Sequence, residues 1–110
     1  MTITGESDTP LLDTVRVITE ASLGNAQLPW REVVLIRLTC LIAVDAPRAS
    51  YAYNLTGPAA SELSQEDVEA VLVASAPLVG TARIASAADR IAEAMGYPIS
   101  VFDQVLRAAD

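Results

Sequence analysis

The apolar run VVLIRLTCLIAV, residues 33–44, constrains the fold of this chain more than any other stretch. Its apolar residues surround the whole helical circumference, so the run lacks the polar side that a surface helix presents to water. Twelve residues interrupted by an arginine are too few to cross a bilayer. The length of the run and its helical neighbours favour a helix over a buried strand. We therefore predict a helix at about residues 30–44 that lies at the centre of a bundle or in a subunit interface.

Two further helices are predicted in the first 60 residues. The first begins near Thr9-Pro10, a typical N-cap followed by a first-turn proline, and ends near Gly24-Asn25. Another is predicted at about 47–60, with Asp45 as its N-cap and a disturbance at Gly57-Pro58. Residues 1–8 resemble a flexible tail.

The rest of the chain also has helical patterns only. The stretch SQED at Ser64–Asp67 is typical of a helix N-terminus, and Pro77 is predicted to end or kink the helix that it opens. A helix rich in small residues follows from about Leu78 to Met95. A short last helix carries its apolar face on Val101, Phe102, Val105 and Leu106. No alternating strand pattern is present, so we predict one compact all-α domain of five to six helices over residues 1–110.

Composition excludes several classes of function. A net charge of −7 argues against nucleic acid and against anionic membranes as partners. The chain has no histidine and one cysteine, Cys40, which rules out histidine-based triads and disulfides within the chain. No spacing of carboxylates resembles a metal site and no glycine-rich phosphate loop is present, so no metal or cofactor is predicted. The polar, acidic N-terminus MTITGESDTP does not resemble a signal peptide, and we expect a soluble, cytoplasmic protein.

Polar side chains collect directly after the apolar helix, in VDAPRASYAYN at residues 44–54. Ser50 and Asn54 share one helical face. They could hydrogen-bond a small polar ligand, or they could make the ordinary hydrogen bonds of a helix surface or junction. Arg37 interrupts the apolar helix and must reach either a carboxylate, water or a ligand. Arg83 could form a structural ion pair or hold an anionic ligand. Arg37, Ser50, Asn54 and Arg83 are thus the ligand-binding candidates.

The order of these pieces resembles the carboxymuconolactone decarboxylase family, which includes the alkylhydroperoxidase D-like proteins. The matching stretches are LPWREVVLIRLTCLIAV and ELSQEDVEAVLVASAPLVGTARIASAADRIAEAMG, so the resemblance covers roughly residues 28–97. It implies the helical fold of that family and a homo-oligomer, a trimer or a hexamer. The high hydrophobic content of 52% favours an oligomer independently, because apolar surface can be buried between subunits.

The redox branch of this family keeps a Cys-x-x-Cys-x-x-x-His motif after the apolar helix. When the motif is aligned with this chain, its two cysteines and its histidine fall on Val44, Pro47 and Tyr51 in one register. In the other register they fall on Pro47, Ser50 and Asn54. Neither register supplies a thiol or an imidazole, which the redox chemistry needs. We therefore expect a homo-oligomeric protein without redox activity that binds small molecules.

Two enzymatic alternatives remain open. A cofactor-free enzyme acting on a small organic acid or lactone would hold the carboxylate with Arg37, Arg48 or Arg83. Its proton carriers would come from Asp45, Tyr51 and Tyr53, and the resemblance adds Glu32 as a catalytic candidate. The other alternative is peroxide reduction by Cys40, but its place within the apolar run predicts a buried, inert thiol.

Overall fold

The computed structural model describes residues 7–96, which form five α-helices and one 3-10 helix and contain no strand. The α-helices are α1 (Pro10–Ala26), α2 (Trp30–Ala43), α3 (Arg48–Leu55), α4 (Gln65–Val79) and α5 (Thr81–Met95), and the 3-10 helix is Gly57–Glu62. The predicted all-α domain of five to six helices is therefore confirmed. The predicted helix with Val101, Phe102, Val105 and Leu106 lies outside the described residues, as do residues 1–6 of the predicted tail.

The start of α4 follows from its sequence. The Ser64 side chain accepts a hydrogen bond from the Asp67 backbone N–H at 3.0 Å, and the Asp67 carboxylate accepts one from the Ser64 N–H at 3.0 Å. These two bonds form a capping box, which satisfies two backbone donors that a helix N-terminus leaves without a partner. The SQED prediction is confirmed in its chemistry as well as its position.

The predicted boundary between α4 and α5 was wrong by three residues. Pro77 lies inside α4 rather than at its end, and the helix continues to Val79. The break comes at Gly80, whose φ of 88° is a conformation that side-chain-bearing residues rarely adopt. Pro77 has no N–H to donate to the carbonyl four residues earlier, so α4 lacks one of its backbone hydrogen bonds there and still continues for two more residues.

Two other predicted boundaries also need correction. The helix predicted at 47–60 stops at Leu55, since Gly57, with φ 64°, starts the separate 3-10 helix. The predicted C-cap at Gly24-Asn25 lies inside α1, which ends at Ala26 with Gln27 in the left-handed region.

Asp45 is not the N-cap of α3, as the sequence predicted. It has a φ of 55° and lies in the left-handed turn that follows α2, while Pro47 directly precedes α3. No side chain caps the start of α3.

The core lies between α2, α3, α4 and α5. Each of these helices contributes fully buried side chains: Val34, Leu38, Ile42, Tyr51, Leu55, Val68, Leu72, Ala87, Ala88 and Ile91. The small residues of α5 let it approach the neighbouring helices closely, so an alanine-rich helix can pack tightly in the core.

Helix α2 is buried on one face only, although its sequence predicted burial all round. Ile36 is 49% exposed, and Cys40, predicted to be buried, is exposed. Helix α1 contributes no buried residue at all and lies at the edge of the structure.

Candidate functional site

Two neighbouring cavities separate α1 from the rest of the helices. The first has a volume of about 310 Å³ and is lined by Thr19, Leu23, Trp30, Arg37, Tyr53, Asn54, Thr56, Pro58 and Ala59. The second, of about 360 Å³, is lined by Leu11, Leu12, Val15, Thr19, Ala49, Ser50, Tyr53 and Asn54. Both include Thr19 of α1 and two residues of α3, so we describe them together as the α1–α3 cleft. Their volumes lie at the small end of the range for ligand pockets.

Three of the four predicted ligand-binding residues meet in this cleft. Arg37 is half-buried, and its Nη1 donates a hydrogen bond to Asn54 Oδ1 at 3.1 Å. The Asn54 amide nitrogen donates in turn to the Ser50 carbonyl oxygen at 2.8 Å, which orients the amide oxygen towards Arg37. Ser50 lines the second cavity beside Asn54. The chain thus carries its polar groups into the cleft from α2 and α3 together.

The partner of Arg37 is a neutral amide rather than a carboxylate. None of the ion pairs among residues 7–96 involves Arg37. An arginine cannot lose its charge, and its guanidinium has five N–H donors in a planar fork. The cleft therefore holds a positive charge with donors left for an anionic group.

Aromatic and apolar side chains form the walls around Arg37. Trp30 at the start of α2 and Tyr53 on α3 are both partly exposed, and Leu23 of α1 and Pro58 complete the lining. The α1 residues were not predicted to belong to a site, because only the position of α1 beside α3 in the fold brings them to the cavities. An apolar cleft with a few polar groups at one side is the usual form of a small-molecule site.

Arg83 lines neither cavity. Its Nη1 donates a hydrogen bond to the Ala43 carbonyl oxygen at the C-terminus of α2. Asp45 lies in the same region, where its carboxylate pairs with Arg90 at 2.9 Å and accepts a hydrogen bond from Ser86 at 3.1 Å. Both groups thus make contacts that hold the end of α2 against α5, away from the cleft.

Two further catalytic candidates, Tyr51 and Glu32, also lie outside the cleft. Tyr51 is fully buried, and its hydroxyl has no hydrogen-bond partner among the described residues. Burial raises the pKa of Tyr51 to about 12, opposed by Arg90 and assisted by Asp45, so the phenol stays protonated near neutral pH. Glu32 is exposed on α2 and does not line either cavity.

Arg31, in the first turn of α2, makes a long-range contact with the start of α4. Arg31 forms a two-pronged ion pair with Asp67, with N···O distances of 2.9 and 3.1 Å, and donates to the Glu62 carbonyl oxygen at 2.7 Å. This contact ties the start of α2 to the start of α4.

Cys40 is accessible but has no other redox group beside it. The chain contains no second cysteine and no histidine. Arg48, one of the cations that could have activated the thiol, lies 3.5 Å from Glu93 in an exposed ion pair, and Arg37 contacts Asn54. Neither cavity is lined by Cys40.

Residues 7–96 contain no cluster of histidine, cysteine, aspartate or glutamate that could hold a metal ion. Within the same range, no helix is both long and apolar enough to span a membrane.

Comparison of the chain with protein-family models, with curated proteins and with solved structures gives no match, so the resemblance to the carboxymuconolactone decarboxylase family stays a prediction.

Proposed function

We propose that this protein binds a small organic anion, a carboxylate on a compact apolar body, in the α1–α3 cleft, and that it does so as a homo-oligomer without redox activity. The observation that carries the proposal is the half-buried guanidinium of Arg37, which faces a neutral amide in an otherwise largely apolar cleft. A carboxylate is the group that an arginine fork binds best, with two parallel hydrogen bonds.

The surrounding residues suit the rest of such a ligand. The rings of Trp30 and Tyr53 offer flat apolar faces, and Leu23 of α1 closes the other side. Asn54 uses its oxygen on Arg37 and one amide hydrogen on Ser50, which leaves a second amide hydrogen for the ligand. The cavity volume restricts the ligand to a small molecule.

The resemblance to the carboxymuconolactone decarboxylase family supports the same location for the binding site. Of the two registers of the family motif, the one that falls on Pro47, Ser50 and Asn54 puts two of its three positions at the cleft. On this reading the protein keeps the fold and the assembly of that family, with a binding site where the redox groups would stand.

The single tryptophan of the chain, Trp30, lines the cleft and reports on its occupancy. We expect benzoate to change Trp30 fluorescence, and the uncharged benzamide to do so far more weakly. Arg37→Met should weaken benzoate binding about 10- to 100-fold, since a hydrogen bond to a charged group is worth about 1.5–3 kcal/mol. Arg48→Met is the matched control, because Arg48 is an exposed arginine outside the cleft.

Equal loss of binding in both variants, or equal binding of benzoate and benzamide, would contradict the proposal. Native mass spectrometry of the protein purified from its own host provides a second test. A stoichiometric small anion that Arg37→Met no longer retains supports the proposal, whereas an uncharged or cationic compound bound there contradicts it.

A cofactor-free enzyme is the second candidate, and one observation favours it. Among the predicted proton carriers, Tyr53 lines both cavities beside the predicted ligand-binding residues. If the ligand is a substrate, Tyr53→Phe should abolish its conversion and leave its affinity within about threefold, because only the hydroxyl is removed.

A further inference from the structure

One face of α2, continued by its C-cap Val44, carries an apolar stripe that none of residues 7–96 covers. It consists of Ile36, Cys40 and Val44, which follow one another at intervals of four residues and therefore line up along the helix. Ile36 is 49% exposed, Val44 is 72% exposed, and Cys40 between them is also exposed. The stripe is about 12 Å long at the rise of an α-helix.

The opposite face of α2 packs into the core of the same chain through Val34, Leu38 and Ile42. A helix that is apolar all round is typical of an element buried on all sides. Because residues 7–96 bury only one side of α2, the stripe on its other side is open to a partner. It is separate from the ligand cleft, since none of its three residues lines either cavity.

We propose that the partner is a second copy of this chain, bound through a two-fold axis that passes beside Cys40 and brings the two α2 helices together antiparallel. The stripe is self-complementary under this operation. Its middle residue, Cys40, faces its own copy, and Ile36 on one chain faces Val44 on the other. In a two-fold contact the same patch is used on both chains, which requires this kind of symmetry.

The charges at the two ends of α2 fit the same arrangement. Glu32 is exposed one turn before Ile36, at the N-terminal end of the stripe. Arg83 is exposed at the other end, where its guanidinium lies against the Ala43 carbonyl oxygen. Antiparallel pairing brings Glu32 of each chain to the Arg83 end of the other, so opposite charges meet at both ends of the apolar contact. A parallel pairing would place like charges together.

This inference specifies the assembly within the proposed function and leaves ligand binding to be tested separately. Cys40 makes the test direct, because it is the only cysteine of the chain. Helices that pack about 10 Å apart, each with Cα atoms about 2.3 Å from its axis, place facing Cα atoms about 5.4 Å apart. That distance lies within the range that a disulfide spans.

We expect diamide to convert the native protein to a covalent dimer, in which two thiols form one disulfide and the diamide takes up two electrons and two protons. Diamide-treated samples of the native protein should run as the dimer on a non-reducing gel and return to the monomer with reductant. Cys40→Ser should not cross-link. A native protein that stays monomeric under these conditions overturns the proposal.

The register is tested in the Cys40→Ser background. A mixture of Ile36→Cys with Val44→Cys protein should cross-link into the mixed dimer, because these positions face each other. Ile36→Cys alone should cross-link at least tenfold less, because its two copies lie on opposite sides of the two-fold axis. Equal cross-linking of the two samples would overturn the antiparallel pairing.

The contact itself is tested by Ile36→Glu, with Val17→Glu as the matched control on an exposed site of α1. Sedimentation equilibrium should show at least tenfold weaker association for Ile36→Glu and unchanged association for Val17→Glu, with circular dichroism to confirm that both remain helical. Equal association of the two variants overturns the proposal. If Ile36→Glu is monomeric and benzoate still changes its Trp30 fluorescence, assembly and ligand binding are separate properties. If a variant still assembles but benzoate no longer changes its Trp30 fluorescence, that result contradicts the ligand proposal and leaves the dimer proposal standing.

Discussion

Asp67 links two helix N-termini at the scale of a single residue. Its carboxylate accepts the Ser64 backbone N–H in the capping box of α4 and also pairs with Arg31 at the start of α2. The Arg31 guanidinium and the Ser64 N–H hold the pKa of Asp67 well below its ordinary value of 3.8. This side chain therefore contributes most to stability in its ionised form.

The pH dependence of stability follows from that shift. Because the pKa of Asp67 is lowered on folding, its contribution is complete above the unfolded value of 3.8 and is lost as the pH falls towards the folded value. Arg31→Gln should raise the pKa of Asp67, measured by carboxyl NMR titration, and make the loss of stability below about pH 4 shallower.

Arg16→Gln is the control for this experiment. Arg16 also pairs with an aspartate, Asp13, but hydrogen bonding by Ser7 is the main cause that lowers the pKa of Asp13. This variant should leave the titration of Asp67 unchanged. An Asp67 pKa that does not move in Arg31→Gln would show that the ion pair is not the cause of the shift.

The contacts and positions of single residues were predictable from the sequence where they depend only on neighbouring residues in the chain. The capping box depends on four consecutive residues, and the shared face of Ser50 and Asn54 depends on helical spacing alone. The exposure of Cys40 was not predictable, since it depends on which face of α2 meets the core. Arg37 and Asn54 lie 17 positions apart in the chain and on different helices. The sequence therefore indicated only that Arg37 needed a partner, and not which residue it would be.

At the scale of elements, two arginines of α5 hold the C-terminus of α2. Arg83 donates to the Ala43 carbonyl oxygen, and Arg90 donates from Nη1 to the Asp45 carboxylate, the Asp45 carbonyl and the Ala46 carbonyl at 2.8–2.9 Å. Carbonyl groups at the end of a helix have no partner within the helix, and positive charge is favourable there. The left-handed turn at Asp45 is thereby fixed in place.

Removing one of these contacts should destabilise the fold. We expect Arg90→Gln to lower the free energy of unfolding by about 2–3 kcal/mol, because it removes a charged hydrogen bond to Asp45 and leaves the Ala46 carbonyl without its donor. Arg48→Gln is the matched control: its exposed pair with Glu93 should be worth less than about 1 kcal/mol. Urea denaturation measures both, and equal losses would contradict the capping role of Arg90.

The existence of the helices was easier to predict than their ends. Hydrophobic periodicity and the N-terminal signature of α4 can be recognised in the sequence, so the five α-helices before residue 96 were predicted in the correct order, whereas the 3-10 helix was not predicted as a separate element. The ends depended on backbone conformation at Gly57 and Gly80, and the boundary predicted at Pro77 falls at Gly80 instead. Arg90 was missed because two of its three acceptors are backbone carbonyls, which no side-chain motif predicts, and the third, Asp45, lies 45 positions earlier in the chain.

At the scale of the whole molecule, α1 differs from the other helices. It has no buried residue, and its main contribution is the wall of the cleft formed by residues such as Thr19 and Leu23. Stability is not uniform in such a structure, since segments with few buried contacts open at lower free energy than the core. The proposed binding site therefore lies between the most and the least firmly held parts of the described chain.

Hydrogen exchange can measure this difference. Amides in the middle of α1, around Val15, should exchange at least 100-fold faster than those of Leu38 and Ile91, which lie in core helices. Saturating benzoate should slow exchange in α1 and leave the two core positions unchanged, because residues of α1 line the proposed binding site. Protection of α1 equal to that of the core would contradict the peripheral position of this helix.

The capping of α2 by α5 has a consequence for synthesis of the chain. The carbonyl acceptors at residues 43, 45 and 46 lie about 40 to 45 positions before the arginines that bind them. A growing chain can form α2 early as a local helix, but it cannot secure the end of that helix until α5 has left the ribosome. The apolar run is thus incompletely covered until the second half of the chain has been translated, and this interval is when chaperones would contribute most to its yield.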